Sequence, residues 1–196
     1  MAYDPQLFRH KLDRWQSYME RYRLPSWEEL PDMELYMDQV VSLVNRYLDL
    51  IPHDEKNPIL TPSAVNNYVR LKVMPAPVRK RYNRRHLACL ILICSLKQSL
   101  SLADIQKILP QEATDQQMCR LYNDFATSMT ATTALFIGHV RAAADTALTP
   151  EQDYGCESLV LHSAVSSVLY KLLAVKLTRL QDMDVEEAME LEKEAL

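Results

Sequence analysis

Apolar side chains recur along most of this chain at spacings of three and four residues, the periodicity of an amphipathic α-helix. The pattern predicts a short helix over residues 4–22 and a second from Met33 to about Leu50. A third helix begins at Pro62, with Thr61 as its N-cap. It runs to about Leu71, and the positions predicted to face inward are Ala64, Val65, Tyr68 and Leu71.

The second half of the chain continues the helical pattern. Asn83 caps a fourth helix over residues 84–98, which is apolar nearly all round and is therefore expected at the centre of the core. A capping box at Ser101 opens a short fifth helix. A long helix follows Thr114, and a strongly apolar helix covers residues 158–180.

The composition supports an all-α fold. The chain has only two Gly among 196 residues, whereas tight hairpins need Gly for their positive-φ turns. Pro110 provides the best boundary between domains. The predicted parts are an N-terminal helical arm, a head, a helical region for dimerisation or effector binding, and an acidic tail, which cover residues 1–30, 31–112, 113–181 and 182–196.

Several functional classes are not indicated. Cys89, Cys94, Cys119 and Cys156 show no metal-ligand spacing, so neither a metal, a disulfide nor a cofactor is predicted. The sequence contains no Gly-rich phosphate loop and no nucleophile and base at a recognisable spacing, so it does not indicate an enzyme. The N-terminus has no signal core, and the longest apolar run, Leu87–Ile93, is too short to span a bilayer. A cytoplasmic protein without a membrane partner is expected.

The charge is distributed unevenly. The net charge is -4, yet the segment from Lys56 to Ala103 contains nine Lys and Arg residues and no Asp or Glu. Such a basic segment is a candidate surface for phosphate groups. A solvated basic face without nucleic acid is the alternative.

Two sets of side chains in this segment are candidates for contact with DNA. The outward side of the third helix offers groups that can bind base edges, namely Ser63, Asn66, Asn67 and Arg70. The residues that follow it suit phosphates, namely Lys72, Arg79, Lys80, Arg81, Tyr82, Arg84 and Arg85.

The order of these elements resembles the winged helix-turn-helix head of the MerR family of bacterial transcription regulators. Thr61–Tyr68 is similar to that family's recognition helix, and Val73-Met74-Pro75 to the entry of its wing. Further matches are Arg81 and Tyr82 in the wing, and Leu102, Ile105 and Leu109 in the fourth helix of the family. Lys72 replaces a turn Gly. More closely, the chain resembles a bacterial family known only as domain of unknown function 1836.

The C-terminal helices carry more apolar surface than one helical hairpin can bury, which predicts a homodimer. Aromatic and Met side chains there are expected to form an effector pocket, a plain core or a dimer seam, and they are Tyr122, Phe125, Met129 and Phe136. His139 and His162 could face each other, but two histidines are weak evidence for a metal.

The resemblance and the basic segment together predict a bacterial transcription regulator that binds duplex DNA as a dimer, with or without a small effector. The alternative is a protein-interaction module whose basic face docks an acidic protein partner. Binding to duplex DNA that falls steeply with salt distinguishes the two functions.

Overall fold

The computed structural model describes residues 4–54, 56–109, 112–148 and 155–180. Within those ranges the chain is all helical, as predicted, and it contains isolated β-bridges but no strand. Its helices are α1 (Pro5–Met19), α2 (Met37–Tyr47), α3 (Pro62–Arg70), α4 (Arg84–Leu96), α5 (Leu102–Ile108), α6 (Asp115–Ala147) and α7 (Gly155–Leu180). The predicted acidic tail, residues 182–196, lies outside the described residues.

Local capping sets the starts of the middle helices. The hydroxyl of Thr61 accepts a hydrogen bond from the Ala64 N–H (3.1 Å), and the side chain of Asn83 accepts one from the His86 N–H (3.3 Å). Ser101 and Asp104 form the reciprocal capping box at the start of α5. These bonds satisfy N–H groups that have no partner inside the helix, which confirms the three predicted helix starts.

The helix α4 is the centre of the hydrophobic core. Every residue from His86 to Cys94 is buried, and α4 packs against α2, α5 and α6. The same core continues past residue 112, because Met118 and Tyr122 near the start of α6 belong to it. The domain boundary predicted near Pro110 therefore does not coincide with a break in the core.

The start of α2 differs from the prediction. The helix begins at Met37 rather than Met33 because the backbone of Leu35 is already bonded elsewhere. The Leu35 N–H donates to the Tyr82 carbonyl (2.7 Å), and the Tyr82 N–H donates to the Leu35 carbonyl (2.9 Å). This antiparallel bridge joins the residues before α2 to the residues before α4.

The N-terminal helix α1 packs on its own chain. Arg9 pairs with Asp145 of α6 (2.9 Å), and Arg141 of α6 pairs with Glu20 just after α1 (2.6 Å). Met19 is buried, whereas Leu7 is exposed. These contacts make the arm part of the subunit's own structure.

The last helix, α7, exposes most of its apolar side chains. By length and composition it could cross a membrane, the one helix in the described ranges of which this is true. Apolar surface of this extent is normally covered by protein or lipid. In the ranges described, no part of the chain covers the outer side of α7.

The two glycines provide a matched test of how α7 sits on α6. A Cβ at Gly155 would overlap the Ala147 carbonyl oxygen, whereas a Cβ at Gly138 would meet nothing within 4 Å. We expect Gly155→Ala to lower the free energy of unfolding by about 1–3 kcal/mol through overpacking. Gly138→Ala should raise it by about 0.5–1 kcal/mol through helix propensity. Urea unfolding at equal protein concentration measures both, and an unchanged Gly155→Ala would contradict the close approach.

Candidate nucleic-acid interface

The helix α3 is held from one side and exposed on the other. Val65 and Tyr68 are buried, as predicted, while Leu71 was wrongly placed inward and is 42% exposed. Leu71 lies at the C-cap, beyond the last residue that packs on the core. The predicted base-reading residues Ser63, Asn66 and Arg70 are exposed, and Asn67 is partly buried.

The side chains of Asn67 and Arg70 are bonded to each other. Arg70 Nη2 donates to Asn67 Oδ1 over 2.6 Å. An Asn and an Arg one helical turn apart are neighbours on the helix surface, which explains the contact. The bond holds two of the four candidate base-reading side chains together.

The connection from α2 to α3 is fixed by two side chains. Asn45 Nδ2 donates to the Leu60 carbonyl (3.0 Å), and the Leu60 N–H donates to Asn45 Oδ1 (3.0 Å). Lys97 Nζ donates to the Ile59 carbonyl (3.0 Å). This long connection therefore has a fixed end at α3, and Lys97 serves the fold rather than the basic surface.

The C-terminus of α3 ends in a Schellman motif. The Lys72 N–H donates to the Val69 carbonyl (3.0 Å), and the Val73 N–H donates to the Tyr68 carbonyl (2.9 Å). The motif requires a left-handed residue after the C-cap, a position that Gly usually fills. Lys72 occupies it with φ 55°, and its side chain is exposed.

A two-residue turn at Arg79 and Lys80 also places exposed basic residues at positive φ. Val78 and Arg81 pair across it in an antiparallel bridge, and the Arg81 N–H donates to the Val78 carbonyl (2.9 Å). The φ angles of Arg79 and Lys80 are 50° and 62°, as in a type I′ turn, which normally carries Asn or Gly. In the described ranges, Lys72, Arg79 and Lys80 are the non-Gly residues with positive φ, and all three are exposed basic side chains.

The remaining predicted phosphate contacts divide into surface and structural residues. The Arg81 guanidinium lies over the exposed Tyr36 ring, 3.6 Å from its centroid. Arg84 was predicted to bind phosphate, but its Nε donates to the Leu30 carbonyl (3.1 Å) and it pairs with Asp32 (3.5 Å). It therefore fastens the segment before α2 to α4. Arg85 is partly buried at the start of α4.

Tyr82, another predicted phosphate contact, has a buried side chain. Its side chain is 3% exposed and packs edge-on against His86, with ring centroids 5.5 Å apart. Burial raises the pKa of Tyr82 and lowers the pKa of His86. Because Tyr82 belongs to the core, it is removed from the set of phosphate contacts.

The second predicted site is divided between the core and a groove. Tyr122 is buried, and its hydroxyl donates to the Pro25 carbonyl (2.9 Å), while Phe125 packs beside the core. Met129 and Phe136 instead line a groove of about 460 Å³ between α6 and α7. His139 and His162 face each other in this groove, with ring centroids 5.6 Å apart.

No group of three or more His, Cys, Asp or Glu side chains that could hold a metal occurs in the part of the chain described above. The four cysteines are free. Burial raises the pKa of Cys89 to about 12 and of Cys94 to about 11, which keeps these thiols protonated and unreactive.

The fold and this surface define an all-helical protein with an exposed basic face formed by α3, Lys72 and the turn at Arg79 and Lys80. The chain belongs to the family described as domain of unknown function (DUF1836), whose profile matches residues 25–125. The match begins after α1 and ends in α6. No curated protein and no solved structure matches the chain.

Proposed function

We propose that the protein is a transcription regulator of the MerR-like winged helix-turn-helix type, which binds duplex DNA as a homodimer in the bacterial cytoplasm. The observation that carries the proposal is the backbone of Lys72, Arg79 and Lys80. A left-handed conformation costs a non-Gly residue on the order of 1 kcal/mol. Three basic side chains at three such positions indicate that their charge is needed at the surface.

The arrangement of α3 also supports DNA binding. Its exposed side offers hydroxyl, amide and guanidinium groups from Ser63, Asn66, Asn67 and Arg70. A major groove accepts one α-helix, and these groups are the ones that bind base edges there. Lys72 at the end of α3 and the turn at Arg79 and Lys80 supply phosphate contacts as the wing.

The dimer is proposed to form along α7. Four of its exposed side chains follow the alternating four- and three-residue spacing of a coiled-coil seam, namely Leu161, Val165, Val168 and Leu172. They are between 56% and 66% exposed. A seam of this kind is completed by the same seam on a second copy of the chain.

The experiment that tests DNA binding is an anisotropy titration of the purified protein with duplex fragments from upstream of its own gene, at two salt concentrations. We expect affinity that falls steeply with salt, because each phosphate contact releases counterions. An absence of binding to both specific and random duplexes at low salt would refute the proposal.

A different function is favoured by the apolar side chains beside the basic turn. Val78 is 71% exposed and Tyr36 is 55% exposed, and both adjoin Arg81. A mixed apolar and basic surface suits an acidic protein partner. This alternative, a protein-interaction module, becomes the better function if the titration shows no binding to DNA.

Base contacts and phosphate contacts can be separated by two substitutions. Asn67→Ala should reduce the binding free energy by about 1–3 kcal/mol on the preferred duplex and by little on random DNA. The difference in affinity between the two duplexes should therefore become smaller. Arg81→Ala should weaken both duplexes similarly and lower the salt slope by about one. The same titrations measure both effects. The control is Gln116→Ala, which removes an exposed amide on α6 and should change neither the affinities nor the salt slope. If Asn67→Ala lost the same affinity on both duplexes, base reading by Asn67 would be excluded.

A further inference from the structure

The helix α7 is oriented opposite to an ordinary surface helix. Its hydroxyl side chains Ser163, Ser166 and Ser167 line the groove toward α6, whereas Leu161 and Val168 point to solvent. A surface helix normally turns its polar side outward. The inward polar side indicates that the space between α6 and α7 serves as a site with its own chemistry.

The opposite walls of this groove are apolar. Met19 of α1, Met129 and Phe136 of α6, and Leu159 of α7 contribute to a volume of about 460 Å³. This is within the range of pockets for small molecules, which combine apolar walls with a few polar groups. A ligand here would bury an apolar body against α1 and α6 and place its polar group near the serines.

The polar group can be specified from the side chains at the groove. No Asp, Glu, Lys or Arg is among the described residues that line it. The rings of His139 and His162, with centroids 5.6 Å apart, are its basic groups. The hydroxyl of Ser163 donates to the Leu159 carbonyl (2.8 Å). The two imidazoles and the hydroxyls of Ser166 and Ser167 suit one carboxylate, whereas a phosphate ester normally recruits Arg or Lys.

We propose that the groove between α6 and α7 binds a small amphipathic monocarboxylate, with its chain along the apolar wall and its carboxylate at His139 and His162. A second copy of the chain is not the occupant, because the coiled-coil seam of α7 lies on the side opposite the groove. The inference does not depend on DNA binding, and its test contains no DNA.

The test is calorimetric titration of the full-length protein with octanoate and, separately, with 1-octanol. We expect one octanoate per chain and at least tenfold weaker binding of the alcohol. The double variant His139→Gln/His162→Gln should reduce the affinity for octanoate to that for octanol and leave the affinity for octanol unchanged. His10→Gln/His53→Gln removes two exposed imidazoles elsewhere and should change nothing.

Filling the groove is the second arm of the test. Ser166→Trp and Ala143→Phe enlarge residues on two different walls and should each abolish binding of both probes. Circular dichroism identifies a variant that fails to fold, in which case the other one decides. Equal affinity for acid and alcohol, no binding of octanoate, or binding that survives both enlargements would overturn the proposal.

Discussion

Lys72→Asn/Arg79→Asn/Lys80→Asn should bind duplex DNA far more weakly than the wild type at low salt, and its salt slope should be smaller by about 2–3. With about 1.5 kcal/mol for a charged hydrogen bond, each lost contact costs roughly tenfold in affinity. Asn tolerates positive φ, so the backbone of the turn is retained while the charge is removed. Anisotropy titration at several salt concentrations gives both quantities.

The control for this variant removes the same charge elsewhere. Lys11→Gln, Arg14→Gln and Lys171→Gln together change three exposed basic residues on α1 and α7. This variant should keep nearly all of the affinity and the salt slope. If this variant loses as much affinity for DNA as the first variant, net charge rather than the proposed face governs binding.

Leu161→Glu/Val168→Glu should convert the proposed dimer to a monomer. The two side chains are 66% and 56% exposed in the single chain, so the substitutions are accepted by the fold. In a dimer seam, however, the new carboxylates would be buried without partners, which is strongly unfavourable. Light scattering at micromolar concentration should show the mass fall from twice 22.7 kDa to 22.7 kDa.

Two other exposed apolar residues of α7 provide the control. Val160 and Leu173 are 45% and 53% exposed and lie off the seam, so Val160→Glu/Leu173→Glu should remain a dimer. A wild-type protein that is already monomeric at micromolar concentration would disprove the dimer. A dimer that survives Leu161→Glu/Val168→Glu would move the interface away from this seam.

The sequence predicted those parts of the fold that depend on neighbouring residues. Thr61, Asn83 and Ser101 each cap a helix through the residue three positions later, and this spacing is visible in the sequence. The bounds of α3 were therefore predicted to within one residue.

The errors concern contacts between distant parts of the chain. Arg84 bonds to Leu30, and Tyr82 pairs with Leu35, both about fifty residues away. A run of basic residues in the sequence does not show which of its side chains bonds to a distant part of the chain. The orientation of α7 was equally hidden, because the polar side of a surface helix normally faces solvent, whereas the serines of α7 line the groove.

The long helix α6 connects two distant regions of the molecule. Its 33 residues extend for about 50 Å at 1.5 Å per residue. Met118 and Tyr122 anchor one end in the core, and His139 and Arg141 lie toward the other end, against α7 and α1. One continuous helix therefore joins the core at Met118 to the groove at His139.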